Sequence, residues 1–120
     1  YLEIFGNDWD TSDGTCIRDY IHVMDIADGH IMVLEYLMNN DPEFLFLNLG
    51  TGVGNSVMQL VNTFQKVNKI KINYVFTNRR AGDICKSVAN IDFAKKLIGW
   101  DPKRNLEDMC RDGWQSKLNN

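Results

Sequence analysis

No apolar run in the 120-residue chain approaches the roughly 20 residues that a membrane span requires, so no segment is expected to cross a bilayer. A basic footprint is missing as well. The net charge is −3 and the lysines and arginines are scattered, apart from Arg79-Arg80 and Lys95-Lys96, which argues against a nucleic-acid partner. Histidine is scarce: His22 and His30 have no Cys or carboxylate around them at a metal-ligand spacing, so no metal centre is expected. The three cysteines, Cys16, Cys85 and Cys110, are an odd number without a C-x-x-C pair. They read as free thiols and suit a reducing, cytoplasmic compartment better than a disulfide framework. Internal repeats and low-complexity linkers are lacking, and the opening YLEIFGNDWD carries neither a basic leader nor a signal-peptide core. It reads as a strand already in progress.

What is present is an ordinary globular composition, 44% apolar, sufficient for a single domain over residues 1–120. Residues 2–5 read as a short strand, and GNDWDTSDGT (6–15) as a turn-rich connection. CIRDYIHV (16–23) alternates, placing Arg18, Tyr20 and His22 on one strand face. Asp25 is placed to cap a helix whose stripe of Ile26, His30, Val33, Leu34 and Leu37 faces inward and ends near Asn39. FLFLNLG (44–50) has the continuous apolar character of a strand covered on both faces. Ser56 and Gln59 form a capping box for the next helix, with Val57, Leu60, Val61 and Phe64 inward. Residues 70–76 alternate as a strand with one buried face. Asn90 caps a short helix with Phe93 and Leu97 inward, stopped by Gly99 and Asp101-Pro102, and Asn105 opens a last helix carrying Leu106, Met109, Trp114 and Leu118. Trp100 and Trp114 are expected over the ends of these two helices. The alternation predicts an α/β unit, α+β for the isolated piece, with a small mixed sheet and helices.

LNLGTGVGNSV (47–57) sits where a phosphate-cradling loop would sit, between an apolar run and a helix. Its glycines, Gly50, Gly52 and Gly54, are spaced G-x-G-x-G, so the third falls one residue early for the dinucleotide fingerprint. The spacing also resembles the first motif of S-adenosylmethionine-dependent methyltransferases. Both would need an acidic residue about 20 positions on, at the end of the next strand, where the chain has Phe76-Thr77-Asn78. The reading favoured is a strand-to-helix turn that needs glycine for positive φ or close packing.

Arg18 on a strand and Arg79-Arg80 in the polar loop TNRRAGD (77–83) each read, taken singly, as surface or salt-bridged arginines. Two planar donor forks from different elements, however, suit a diphosphate held between them. In combination, FGNDWDTSDGTCIRDYIHVMDIADGH (5–30), LNLGTGVGNSV (47–57) and RRAGD (79–83) resemble the C-terminal, substrate-binding part of the UDP-glucose 4-epimerase family of extended short-chain dehydrogenases/reductases. The resemblance runs from Tyr1 to about Trp114.

The resemblance implies that Arg18 and Arg80 clamp the diphosphate of a UDP-hexose, that Asp83 bonds the ribose, that Glu3, Ile4 and Phe5 lie along the uracil, and that Ala81 and Gly82 line the same loop. Ser87, four residues beyond Asp83, takes the place of a side chain at the hexose wall, bulky where only plain hexoses are accepted. A serine there leaves room for an N-acetylated sugar. The family's activity, removal and return of the hydride at C4 of the sugar by NAD, rests on a Tyr-x-x-x-Lys pair and an N-terminal G-x-x-G-x-x-G loop. Neither is here: Tyr1, Tyr20, Tyr36 and Tyr74 are followed four positions on by Phe5, Met24, Asn40 and Asn78. The expectation is therefore the last third of a longer enzyme, without its N-terminal Rossmann domain, inactive alone and with no residues for NAD. The resemblance leaves room for a homodimer in the parent enzyme. Trp9 and Cys16 depart from the Tyr and Gly expected of the family. The competing readings are a related nucleotide-sugar dehydratase or decarboxylase, and a non-catalytic UDP-binding module.

Overall fold

The computed structural model describes residues 1–42 and 44–119. Strand β1 (Leu2–Phe5) pairs in parallel with β4 (Tyr74–Thr77), Leu2 opposite Tyr74 and Phe5 opposite Thr77. A second sheet is centred on β2 (Ile17–Arg18), antiparallel to β3 (Asn55–Ser56) and parallel to β5 (Lys86–Ser87). Four helices surround these pieces: α1 (Val23–Asn39), α2 (Val57–Asn68), α3 (Asp92–Ile98) and α4 (Leu106–Leu118). The result is the small mixed arrangement of sheet and helix that the alternation predicts.

Local chemistry accounts for the helix ends. The Ser56–Gln59 capping box opens α2, as its sequence predicts, and a second box, Asn105 with Asp108, opens α4. Asn90 Oδ1 accepts from the Asp92 N–H at the start of α3, and Gly99 closes that helix at φ +70°. For α1 the cap is His22, whose Nδ1 accepts from the Met24 N–H at 3.0 Å, so the helix starts earlier than Asp25 implied. Asn39 and Asn40 donate to the carbonyls of Glu35 and Tyr36 and finish it.

Two packing centres hold the elements together. Between α2 and α4, Val61 and Cys110 are buried, Phe64 meets Trp114 edge to face at 5.9 Å, and Asn68 Nδ2 donates to the Cys110 carbonyl. Burial raises the Cys110 thiol pKa, which leaves it an inert apolar neighbour. Leu2, Leu60, Phe64, Ile72 and Met109 line an apolar cavity of about 360 Å³ beside this centre. The second centre is Trp100, 1% exposed, whose indole N–H donates to the Gly50 carbonyl at 2.8 Å. Buried Asp25 ties α1 to the same region by accepting from the Arg104 N–H and its guanidinium.

Several expectations change. Only Ile17–Arg18 of 16–23 is strand, so Tyr20 and His22 do not continue a face with Arg18. The buried side of α1 is Asp25 and Gly29, facing Trp100, while His30, Leu34 and Leu37 are exposed. Residues 44–49 form no strand: none of the described residues pairs with them, and Phe44 and Phe46 stack on each other at 76% and 83% exposure. An apolar run without a backbone partner cannot become a strand. The strand foreseen at 70–76 is Tyr74–Thr77, with Tyr74, Val75 and Phe76 all exposed. Phe93 points outward and Ala94 is the buried residue of α3, and Trp100 is core rather than cover.

Gly29 decides how closely α1 approaches Trp100. Replacing a helix-interior Gly by Ala ordinarily gains up to about 1 kcal/mol. A Cβ on Gly29 would stand 2.6 Å from Trp100 Cζ3 and 2.9 Å from Leu49 Cδ1. The overpacking, about 1–3 kcal/mol, outweighs the propensity gain. Gly29→Ala should therefore lower the urea midpoint rather than raise it.

Candidate functional site

The glycine turn is filled by the protein itself. One Asp19 carboxylate accepts from the Thr51 N–H at 2.9 Å, the Thr51 hydroxyl, the Gly52 N–H at 2.9 Å and the Ala89 N–H at 3.2 Å. Gly52 is the turn residue that needs positive φ, +73°, whereas Gly50 is required by proximity: a Cβ there would meet Asp19 Oδ2 at 2.6 Å and Ala89 Cβ at 2.5 Å. The amides of the following helix are also taken. Val57 N–H goes to the Cys16 carbonyl, Met58 N–H to the Thr15 hydroxyl and Gln59 N–H to the Ser56 hydroxyl. Both hydroxyls donate onward to Asp13, so the DGT run is the cap of α2. With these donors occupied, the turn and helix end offer a dinucleotide no cradle. The turn reading of LNLGTGVGNSV is the one the geometry supports.

The arginines converge on one acid. Arg80 Nε donates to Asp83 Oδ2 at 3.0 Å and Arg80 Nη2 to Asp83 Oδ1 at 3.3 Å, while Arg18 Nη2 lies 3.9 Å from Asp83 Oδ1. Arg18 Nη1 is oriented by the carbonyls of Ile17 and Ile84, both at 2.8 Å. Arg80 lies over the Phe5 ring at 4.5 Å. Two guanidinium groups against one carboxylate leave net positive charge where an anion could bind.

The remaining expected residues fall around this cluster. Ser87 is the parallel-ladder partner of Arg18, and the two line an open cleft of about 440 Å³ together with Asp19, Asn48, Ala89 and Asn90. Ala81 and Gly82 form the exposed turn between Arg80 and Asp83, Gly82 at φ +87°. Glu3 is exposed on β1, but the Ile4 side chain is 1% exposed and belongs to the core, and its backbone is on the side of β1 that pairs with β4, so Ile4 is not placed to meet a ligand. Arg80, Asp83 and Phe5 do not line the cleft of Arg18 and Ser87.

Other neighbours escaped the sequence reading. Arg79 lies over the Trp9 ring at 4.0 Å and donates to Asp8, and the Trp9 N–H donates to the Phe5 carbonyl at 3.2 Å. The hydrogen bond from Arg79 lowers the Asp8 pKa from its ordinary value. Trp9 thus links the TNRRAGD loop to the end of β1. The role of Asp19 could have been suspected from its place directly after Arg18 and from a nearby turn rich in glycine. The lining by Asn48 and Asn90 had no local signature.

No protein-family model matches the chain. Individual proteins do. The UDP-glucose 4-epimerase of Bacillus subtilis (strain 168) is 46% identical over 119 residues, 99% of this chain and 35% of the relative. By sequence and fold the chain is a homologue of the UDP-glucose 4-epimerases, over about the C-terminal third of their length. Among solved structures, the epimerase of Stenotrophomonas maltophila with bound NAD and formylated UDP-arabinopyranose matches at TM-score 0.90 and 39% identity, over 98% of this chain and 35% of that one. The epimerase of Bifidobacterium longum in complex with NAD+ and UDP matches at TM-score 0.87 and 40% identity, with the same coverage of both chains. The chain therefore spans about a third of the length of these epimerases. No helix among the described residues is long and apolar enough to cross a membrane.

The cap of α2 carries a pH signature. Partial burial raises the Asp13 pKa, but hydrogen bonds from Ser56 and Thr15 outweigh it, and the folded value is lowered. A carboxyl lowered by folding stabilises fully above its unfolded pKa and loses that contribution as pH falls through the folded value. Urea unfolding across a pH series should show the stability advantage of the wild type over Asp13→Asn shrinking below about pH 4.

Proposed function

We propose that these residues form the UDP-hexose-holding part of a UDP-glucose 4-epimerase, with NAD and the catalytic Tyr-x-x-x-Lys pair supplied by a part of the protein outside them. The observation that carries this reading is the meeting of Arg18 and Arg80 at one carboxylate, Asp83, in a chain homologous to epimerases throughout its length. Relatives of this fold hold NAD together with UDP or a UDP-sugar. The described residues are not suited to NAD, so no step of the reaction is assigned to them.

Their work is grip. A diphosphate entering between Arg18 and Arg80 would replace Asp83 as the anionic partner of Arg80 and release that carboxylate toward the ribose. Glu3 and Phe5 carry their backbone groups on the side of β1 away from β4; the Phe5 carbonyl there accepts from Trp9, and the Glu3 groups and the Phe5 N–H are where a uracil could be bonded as a strand edge is. Holding the unreacting nucleotide while the hexose makes few fixed contacts lets the sugar turn about the diphosphate linkage, so that hydride can leave one face and return to the other. Such grip is uniform binding, which keeps the intermediate without favouring either sugar. The exposed apolar residues Ile31, Leu34, Leu37 and Met38 of α1, with Phe44 and Phe46, form the surface on which the NAD-binding part would pack.

Titration of the protein with UDP tests the clamp. Arg18→Ala and Arg80→Ala should each weaken binding by about 1.5–3 kcal/mol, and unchanged affinity in both would remove the clamp. The open wall at Ser87 leads to a second expectation. The full-length enzyme should turn over UDP-N-acetylglucosamine, and Ser87→Tyr should depress that activity relative to UDP-galactose. If the N-acetylated sugar is not a substrate and the tyrosine changes nothing, Ser87 does not set the wall.

A further inference from the structure

The ladder that places Ser87 beside Arg18 is only two residues long, too short to hold its register unaided. Its rungs run from the Ile17 N–H to the Cys85 carbonyl at 2.9 Å and from the Asp19 N–H to the Ser87 carbonyl at 3.1 Å. The next rung of a parallel ladder would run from the Ala89 N–H to the backbone carbonyl of Asp19. In its place the Ala89 N–H donates to the Asp19 side chain, Oδ2, at 3.2 Å. The same carboxylate accepts from Thr51 and Gly52, so a single acid closes the ladder and pins the glycine turn to it.

We propose that Asp19 is a positioning residue for the nucleotide-sugar site: its carboxylate stands in for the missing ladder rung and fixes Ser87 and the turn at Gly50 against Arg18. The inference rests on the functional reading above. Asp19 does not need to touch the ligand for this. It follows Arg18 directly, Ala89 lies two residues beyond Ser87, and Asp19, Gly50 and Ala89 all border the cleft that Arg18 and Ser87 line. Removing the carboxylate leaves four donors unmatched and lets the two walls part. An asparagine keeps the shape but turns an NH₂ toward N–H groups, so it restores only part of the cradle.

The test uses the full-length protein, with UDP-glucose binding measured by calorimetry and the amide resonances of Thr51, Gly52 and Ala89 followed by NMR. Asp19→Ala is expected to weaken binding about 10- to 100-fold. Added formate, which has the shape of the lost carboxylate, should return both the amide resonances and most of the affinity, and should do nothing for Arg18→Ala. If Asp19→Ala fails to fold, Asp19→Asn should show a smaller loss with the same three amides displaced. Wild-type affinity in the folded variant overturns the proposal. So does restoration of the amides by formate without restoration of binding. A wild-type protein that does not bind UDP-glucose instead overturns the functional reading, while the three amides still report whether the carboxylate holds the turn.

Discussion

A single carboxylate, that of Asp19, joins three pieces of backbone that have little else to hold them together. β2 and β5 are two residues each, and the glycine turn has no regular structure of its own. Neutral loops of this kind move apart unless their polar groups are matched, and a charged acceptor matches four donors at once. Its neighbour Arg18, the glycine turn and the end of β5 all meet at that acid.

The same region shows how an apparent ligand motif becomes internal structure. Amides turned toward one point, followed by a helix N-terminus, attract an anion. Here the anion is a side chain of the protein, and the helix donors are answered by Cys16, Thr15 and Ser56. Asp13 completes the arrangement by accepting from both hydroxyls. Donors already satisfied in the fold have little to gain from a phosphate, whereas the Arg80 guanidinium, paired with Asp83 and more than half exposed, stays open to solvent beside Arg18.

The distribution of apolar surface belongs to the same picture. One face of α1 and the pair Phe44 and Phe46 are left open, although their sequence is that of buried elements. The chain spans about a third of the epimerases' length, and an apolar surface of this extent is the kind that a further packing partner covers.

The starts of α2 and α4 and the stop of α3 were legible because they depend on neighbours in sequence: Ser56 with Gln59, Asn105 with Asp108, and Gly99 act over three or four residues, whereas the cap of α3 is Ile91 rather than Asn90. The motif arginines and the short count of glycine spacing were legible for the same reason. Strand 44–50 was not, since a strand is made by its partner and none of the described residues supplies one. The buried stripe of α1 was misread because its depth depends on Trp100, which lies 71 residues beyond Gly29 and for which only glycine leaves space. By itself the sequence determined the caps of α2 and α4, the glycine stop of α3 and the glycine turn. Tertiary structure alone decided that Asp19 fills the turn, that Arg18 is brought to the local Arg80–Asp83 pair, and that Ser87 stands beside Arg18, because each of these contacts joins residues more than thirty positions apart that only folding brings together.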